Sequence, residues 1–193
     1  MTARSPLILA SGSRYRAELL RRLGLVFEQD APELDETPLP GETAEALVQR
    51  LAAAKAQAVA ARRPGCWVLG SDQACACGAQ ILGKPGTRER ALAQLGTLSG
   101  QTARFVTAVA LVASHQLHQA LDVTTVRFRR LTTAEVERYL DAEPAYDCAG
   151  SFKAEGLGIS LCAAIESADP TGLIGLPLIA VRKLLAEAGL PLP

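Results

Sequence analysis

The chain has 193 residues, and 20 Lys+Arg balance 20 Asp+Glu to a formal net charge of zero. That excludes a nucleic-acid binder held by overall positive charge, while 49% hydrophobic and 21% charged residues exclude a disordered chain. Aromatic residues make up only 4%, too few for a base-stacking surface of many rings.

The charges are sorted along the chain. Residues 1–25 carry five Arg against one Glu, residues 26–50 one Arg against seven acids, and residues 51–100 six bases against two acids. A site for a metal and an anion needs such sorting, though a solvated surface can also produce it.

In chain order, Leu7–Ala10 predicts a short buried strand. Ser13 caps a helix with Leu19, Leu20 and Leu23 on one face, and Gly24 ends it. Val26–Gln29 predicts a second strand, followed by an acidic, Pro-rich loop from Asp30 to Gly41. Thr43 caps a long helix reaching Arg62, with Leu47, Leu51 and Ala54 inside and Pro64-Gly65 stopping it. Trp67–Ser71 predicts a buried strand that stops at Ser71, then a hairpin over Ala74–Ile81. Thr87 starts a helix ending near Gly96. Arg104–Ala113 and Val123–Arg130 predict paired antiparallel strands, with His115 and His118 in a solvated turn between them and no acid nearby. Thr132 and Glu135 form a capping box for a helix to Ala142. Gly150–Gly158 reads as a glycine-punctuated loop, Leu161–Ile165 as a strand, and Leu176–Ala188 as a closing helix ended by Gly189. The irregular alternation gives a mixed α/β class and one domain over residues 1–193.

No segment reaches the ~18 uninterrupted apolar residues of a membrane span, and the apolar run Pro6–Ala10 is too short for a secretory signal. Five cysteines (Cys66, Cys75, Cys77, Cys148 and Cys162) have no framework spacing and predict reduced thiols. Cys75 and Cys77 read as half-buried packing, poorly spaced for a zinc clip. A cytoplasmic location is expected.

Several segments carry residues suited to chemistry. In Ala10-Ser11-Gly12-Ser13-Arg14-Tyr15-Arg16 a strand turns into a helix, so free N–H groups, hydroxyls and a cation converge as a phosphate site requires. Alone, that stretch reads as a well-capped helix. Asp72 in Leu69-Gly70-Ser71-Asp72-Gln73 puts a carboxylate at the end of an apolar strand, which is costly unless paired, metal-bound or used as a base. As a structural residue it would be a turn Asp. Lys84 sits in the turn Gly83-Lys84-Pro85, Asp35-Glu36 in the acidic loop, Lys55 mid-helix, and Lys153 with Glu155 in the glycine-flanked loop. Taken singly, each has an ordinary surface explanation.

Taken together, the ASGSxxR start, the Asp35-Glu36 pair, RLAxxKA, GSDQ, GKP, CAGSFKxEGxGI and Leu173-Ile174-Gly175-Leu176-Pro177 resemble the Maf family of nucleoside triphosphate pyrophosphatases, in order from Leu7 to Arg182. The resemblance implies an ITPase-like, two-lobed α/β fold with a mixed sheet, flanking helices and a central cleft. It also implies hydrolysis between the α- and β-phosphates with a divalent cation, Mg or Mn. GSDQ and SFKxEG resemble the branch acting on 7-methyl-GTP. The alternatives are the dTTP/UTP branch and a non-catalytic nucleotide-binding regulator of cell division. The chain departs from the family at Arg14, where Pro is frequent, and at Tyr15, where the methyl-GTP branch can carry Trp.

By position, the resemblance makes Asp72 the catalytic carboxylate, and Tyr15, Gln73 and Glu155 the specificity positions. Ser11, Arg16, Glu36, Lys55 and Lys84 match polar positions lining the cleft. Chemically, Glu36 and Asp72 suit a divalent cation. Asp72 suits a base for the attacking water. Arg16, Lys55, Lys84 and Ser11 suit the charge on a leaving pyrophosphate. N7-methylation makes guanine cationic, so Tyr15 is a candidate stacking face. Glu155 suits acceptance from guanine N1–H and N2, and Gln73 a remaining edge. The expected partner is the nucleotide, with no nucleic acid or membrane, and a homodimer as the assembly considered.

Overall fold

In the computed structural model, which describes residues 6–190 and 192, one seven-stranded sheet organises the chain. The order is β2 (Phe27–Gln29), β1 (Leu7–Leu9), β3 (Trp67–Cys77), β5 (Thr102–Ala113), β6 (Gln116–Phe128), β7 (Cys162–Glu166), with β4 (Gln80–Leu82) also paired to β3. β1 runs parallel to β2 and β3, and the remaining pairs are antiparallel. The helices are α1 (Arg14–Arg21), α2 (Ala44–Arg62), α3 (Arg88–Leu98), α4 (Thr133–Ala142) and α5 (Leu178–Glu187). Among the described residues no helix is long and apolar enough to cross a membrane.

The helix starts follow their caps. Ser13 Oγ accepts from Arg16 N–H, Thr43 Oγ1 from Ala46 N–H and Thr87 Oγ1 from Arg90 N–H. Thr132 and Glu135 complete a reciprocal capping box.

Three apolar clusters hold the sheet. α2 covers one face through Val48, Leu51, Ala52 and Ala56 against Ile8, Val68 and Val106. α1 and α5 cover the other through Leu19, Leu20 and Leu184 against Leu9, Leu69 and Leu111. Further along β3, β5 and β6, α3 and α4 pack Leu95, Leu98 and Leu140 with Phe105, Phe128 and Phe152. The Phe152 ring lies 5.4 and 5.2 Å from those of Phe105 and Phe128. Each fully buried side chain of this size contributes about 1.5–3 kcal/mol.

Gly70 sets the closeness of α2 to β3. A Cβ there would overlap the Ala52 carbonyl oxygen and crowd Ala56. The bare backbone lets α2 lie flat on the sheet beside Asp72, two residues further on.

Several local expectations change. β3 does not stop at Ser71 but runs to Cys77, because β5 pairs with it from Val68↔Val112 through Ala76↔Arg104. Asp72 is therefore a mid-strand residue and not a turn Asp. α3 continues past Gly96 to Leu98, whose side chain is buried. β6 begins at Gln116, so only Ser114 and His115 turn, and His118 lies in the strand. His118 packs against Trp67 with ring centroids 6.1 Å apart and has Glu187 4.0 Å from Nδ1. Ala54 is half-buried, whereas Lys55 falls on the inward stripe four residues beyond Leu51. The 150–158 segment is no loose surface loop: Ser151 and Phe152 are buried, and short 3₁₀ turns flank it. All five cysteines are free, and burial pushes the Cys75 thiol up to about 12.

Candidate active site

A cleft of about 840 Å³ opens between α2, the start of α1, the Gly83–Lys84 turn, the 147–155 segment and the 173–175 turn. Ser11, Tyr15, Arg16, Glu36, Lys55, Asp72, Gln73, Lys84 and Glu155 all line it. These nine side chains come from segments spread between residues 11 and 155, and the fold brings every one to the same cavity.

Lys55 is the hub of its charged end. Leu47, Leu51 and Lys55 follow one another at four-residue spacing down the α2 face that looks into the cleft. Lys55 Nζ lies 2.6 Å from Asp72 Oδ1 and 2.5 Å from Glu36 Oε1. Lys55 and Asp72 are both buried, whereas Glu36 is half exposed. Burial pushes the Glu36 carboxyl up, but the Lys55 hydrogen bond and charge, with Lys84 and Arg16, more than offset this and hold it below its ordinary value. Burial lowers Arg16, countered by Asp72 and Glu36; a guanidinium stays charged regardless.

The other polar groups are anchored by backbone carbonyls. Arg16 Nε donates to Gly175 O at 2.9 Å, and Nη1 reaches Ser11 Oγ at 3.4 Å. Ser71 Oγ donates to the same Gly175 carbonyl at 3.0 Å. Gly175 has φ +118°, a conformation that side chains disfavour, so glycine suits this carbonyl anchor. The Gln73 amide nitrogen donates to Gly172 O at 2.9 Å, Leu173 O at 3.0 Å and Thr107 Oγ1 at 3.0 Å. Its N–H groups are thus committed to the protein. Lys84 is exposed and has no ion-pair partner among the described residues.

A second charged set surrounds Tyr15. Arg14 Nη2 donates to Tyr15 Oη at 2.8 Å, its guanidinium carbon lies 4.8 Å from the ring centroid, and Lys153 Nζ lies 5.4 Å from it. The ring already has two cations beside it, of which Arg14 is exposed. Glu155 is exposed along the cleft wall; partial burial and the nearby Glu143 and Asp147 carboxylates raise it, against the lowering influence of Lys153.

The sequence did not point to Asp147, Cys148, Phe152 or Gly175 as cleft residues. The Leu173–Pro177 stretch marked the Gly175 turn, but a backbone carbonyl leaves no side-chain signal.

The acidic loop is tied down beside Glu36. Arg50 Nε and Nη2 donate to the two Glu42 oxygens at 2.7 Å each, Arg50 Nη2 also reaches Thr37 O, and Leu39 N–H donates to Glu42 Oε2. The Arg50 fork is the main reason that Glu42 falls from its ordinary 4.5 to about 2. Because folding lowers it, Glu42 contributes stability in full above pH 4.5, and that contribution is lost as pH falls toward 2. Thermal melts of Glu42→Gln should therefore show a shallower acid loss over that window. An unchanged pH slope would remove Glu42 from the acid transition.

Two carboxylates meet at Lys55 with oxygens to spare. Glu36 Oε2 and Asp72 Oδ2 have no hydrogen-bond partner among the described residues, and hard oxygen donors fit a small divalent cation. No group of three or more His, Cys, Asp or Glu suited to a metal occurs among the described residues. A cation such as Mg²⁺ keeps several waters and takes one or two carboxylates plus substrate phosphates, so two carboxylates are enough donors for it.

Comparison with known proteins gives a consistent result. The family model described as "Maf-like protein" matches residues 6–188. A protein of Xanthomonas oryzae pv. oryzae named "7-methyl-GTP pyrophosphatase" is 62% identical over 187 residues, covering 97% of this chain and 98% of its own. Proteins of the same name from Polaromonas sp. and Nitrosococcus oceani are 53% and 52% identical. They cover 97% and 96% of this chain, and 86% and 94% of their own lengths.

Proposed function

The chain belongs to the Maf-like protein family, and from that premise we propose that it is a 7-methyl-GTP pyrophosphatase, releasing 7-methyl-GMP and pyrophosphate. The relatives' shared name supports nucleotide pyrophosphatase activity. The observation that carries the reading is the cleft itself: Lys55 between Glu36 and Asp72 at one side, and Tyr15 with Glu155 lining the same cavity.

Asp72 is the base. Its carboxylate takes a proton from the water that attacks the α-phosphorus, as the bond from that phosphorus to the bridging oxygen breaks. Lys55 holds the Asp72 carboxylate by Oδ1, which fixes its orientation. Arg16, Lys84 and Lys55 oppose the charge that builds on the leaving pyrophosphate, and the Ser11 hydroxyl adds a hydrogen bond. The start of α1 presents backbone N–H groups along the cleft, as phosphate oxygens require. Glu36 and Asp72 would hold the divalent cation, Mg²⁺ or Mn²⁺, which when bound neutralises phosphate oxygens.

At the base end, Glu155 accepts from the guanine N1–H and N2 groups. A methylated, cationic ring suits both this carboxylate and the Tyr15 face, where it would take the place that the Arg14 guanidinium holds over the ring. Gln73, with its N–H groups committed to carbonyls, offers the base only its amide oxygen.

The test is pyrophosphate release from 7-methyl-GTP, GTP, UTP and dTTP with Mg²⁺ or Mn²⁺, each with and without chelator. The highest kcat/KM is expected for 7-methyl-GTP, with activity lost on chelation. A preference for UTP and dTTP would place the enzyme in the pyrimidine branch. Nucleotide binding without pyrophosphate release would favour a regulator, and turnover in chelator would overturn the metal assignment.

A further inference from the structure

The base-reading segment is gripped from behind by α4. Glu143 caps the C-terminal end of that helix. Its Oε1 lies 3.0 Å from Lys153 Nζ, and its Oε2 accepts the Leu157 N–H at 2.6 Å. One turn earlier, Tyr139 Oη accepts the Lys153 N–H at 3.1 Å. Gly156 completes the fit: a Cβ there would overlap both Glu143 oxygens. Glu155 thus lies between two backbone points fixed by one helix end.

The grip also sorts charge. Lys153 and Glu155 are two residues apart, and among the described residues Lys153 pairs with Glu143 while Glu155 has no ion-pair partner. The Lys153 ammonium rides on a flexible four-carbon stem. Without Glu143 it is free to turn to Glu155, the acceptor facing the cleft. A cation paired there would compete with a cationic base and repel it.

We propose that Glu143 is a positioning residue for base selection: it holds Lys153 away from Glu155, so that the Glu155 carboxylate stays unpaired toward the cleft for a positively charged purine. This rests on the 7-methyl-GTP reading and adds the reason why the methylated base is favoured over the neutral one. Glu143 itself touches no substrate. Gly156 serves the same end by leaving room for the Glu143 carboxylate.

The experiment compares kcat/KM for 7-methyl-GTP and for GTP in the full-length protein. Glu143→Gln keeps an acceptor for Leu157 N–H but drops the charge that holds Lys153. It should lower the 7-methyl-GTP:GTP ratio about tenfold, mostly through KM for the methylated substrate. Adding Lys153→Met to Glu143→Gln removes the released cation and should restore the ratio toward wild type. Restoration is the decisive readout, because a merely structural loss would not be repaired by a second truncation. Gly156→Ala, which displaces the carboxylate without deleting it, should shift the ratio in the same direction as Glu143→Gln. If wild type prefers 7-methyl-GTP and Glu143→Gln keeps that ratio within twofold, or the double variant fails to recover it, the Glu143 assignment is overturned alone. If wild type shows no preference for the methylated nucleotide, the substrate reading falls and the inference falls with it.

Discussion

Asp72→Asn should lower kcat for pyrophosphate release about a thousandfold, within the range that a positioned general base contributes. The substitution keeps shape and removes the carboxylate proposed to take the proton. Its structural cost is limited because Lys55 retains Glu36 at 2.5 Å, so the buried ammonium is not left alone. KM should change far less than kcat, since the loss falls on an interaction made in the transition state. Circular dichroism and the thermal midpoint check the fold beside the kinetics. A kcat within a few-fold of wild type would take Asp72 out of the chemistry.

Lys55→Met should damage both stability and activity. Methionine matches the lysine stem in length and flexibility, so the packing against Leu51 survives. What disappears is the only hydrogen-bond partner that the buried Asp72 carboxylate has among the described residues. Removing one member of a buried pair costs about 3–5 kcal/mol, and the cleft's access to water places this pair at the lower end. For a chain of this size, about 3 kcal/mol lowers the thermal midpoint by roughly 6–12 °C. The same change removes a cation proposed to face the triphosphate, and kcat/KM should fall about a hundredfold or more. A thermal midpoint equal to wild type would mean that Asp72 is satisfied without Lys55, and the hub arrangement would be wrong.

The sorted charges of the sequence have a double explanation. Arg16, Lys55, Lys84 and Glu36 do line one cleft. Some of the remainder pair across the blocks on the surface: Arg62 with Asp30, Arg63 with Glu28, and Arg104 with Glu45. Exposed pairs of this kind contribute little each. The zero net charge thus combines a charged site, a few cross-block surface pairs and many charges that face water singly.

Local signals were legible wherever one short window determines the structure. The caps Ser13, Thr43 and Thr132 marked three helix starts, because a side-chain oxygen reaching an N–H three residues on is a local event. Asp72 misled at that level: its residue type suggests a turn, yet pairing with β5 carries the strand straight through it. Lys55 looked like an exposed mid-helix residue until Gly70 allowed α2 to lie against β3.

By itself the sequence determined the class of the fold, the side-chain-capped helix starts and nine of the side chains that line the cleft, since motif order and residue type are written along the chain. Only the tertiary structure decided what holds those side chains in place. Arg16 rests on a carbonyl 159 residues away, Gln73 on carbonyls 99 and 100 residues away, and Lys153 on the end of α4. A backbone carbonyl carries no residue identity, and a contact across such separations leaves no periodicity in a local window. The candidate side chains were therefore legible in one dimension, and their support in three.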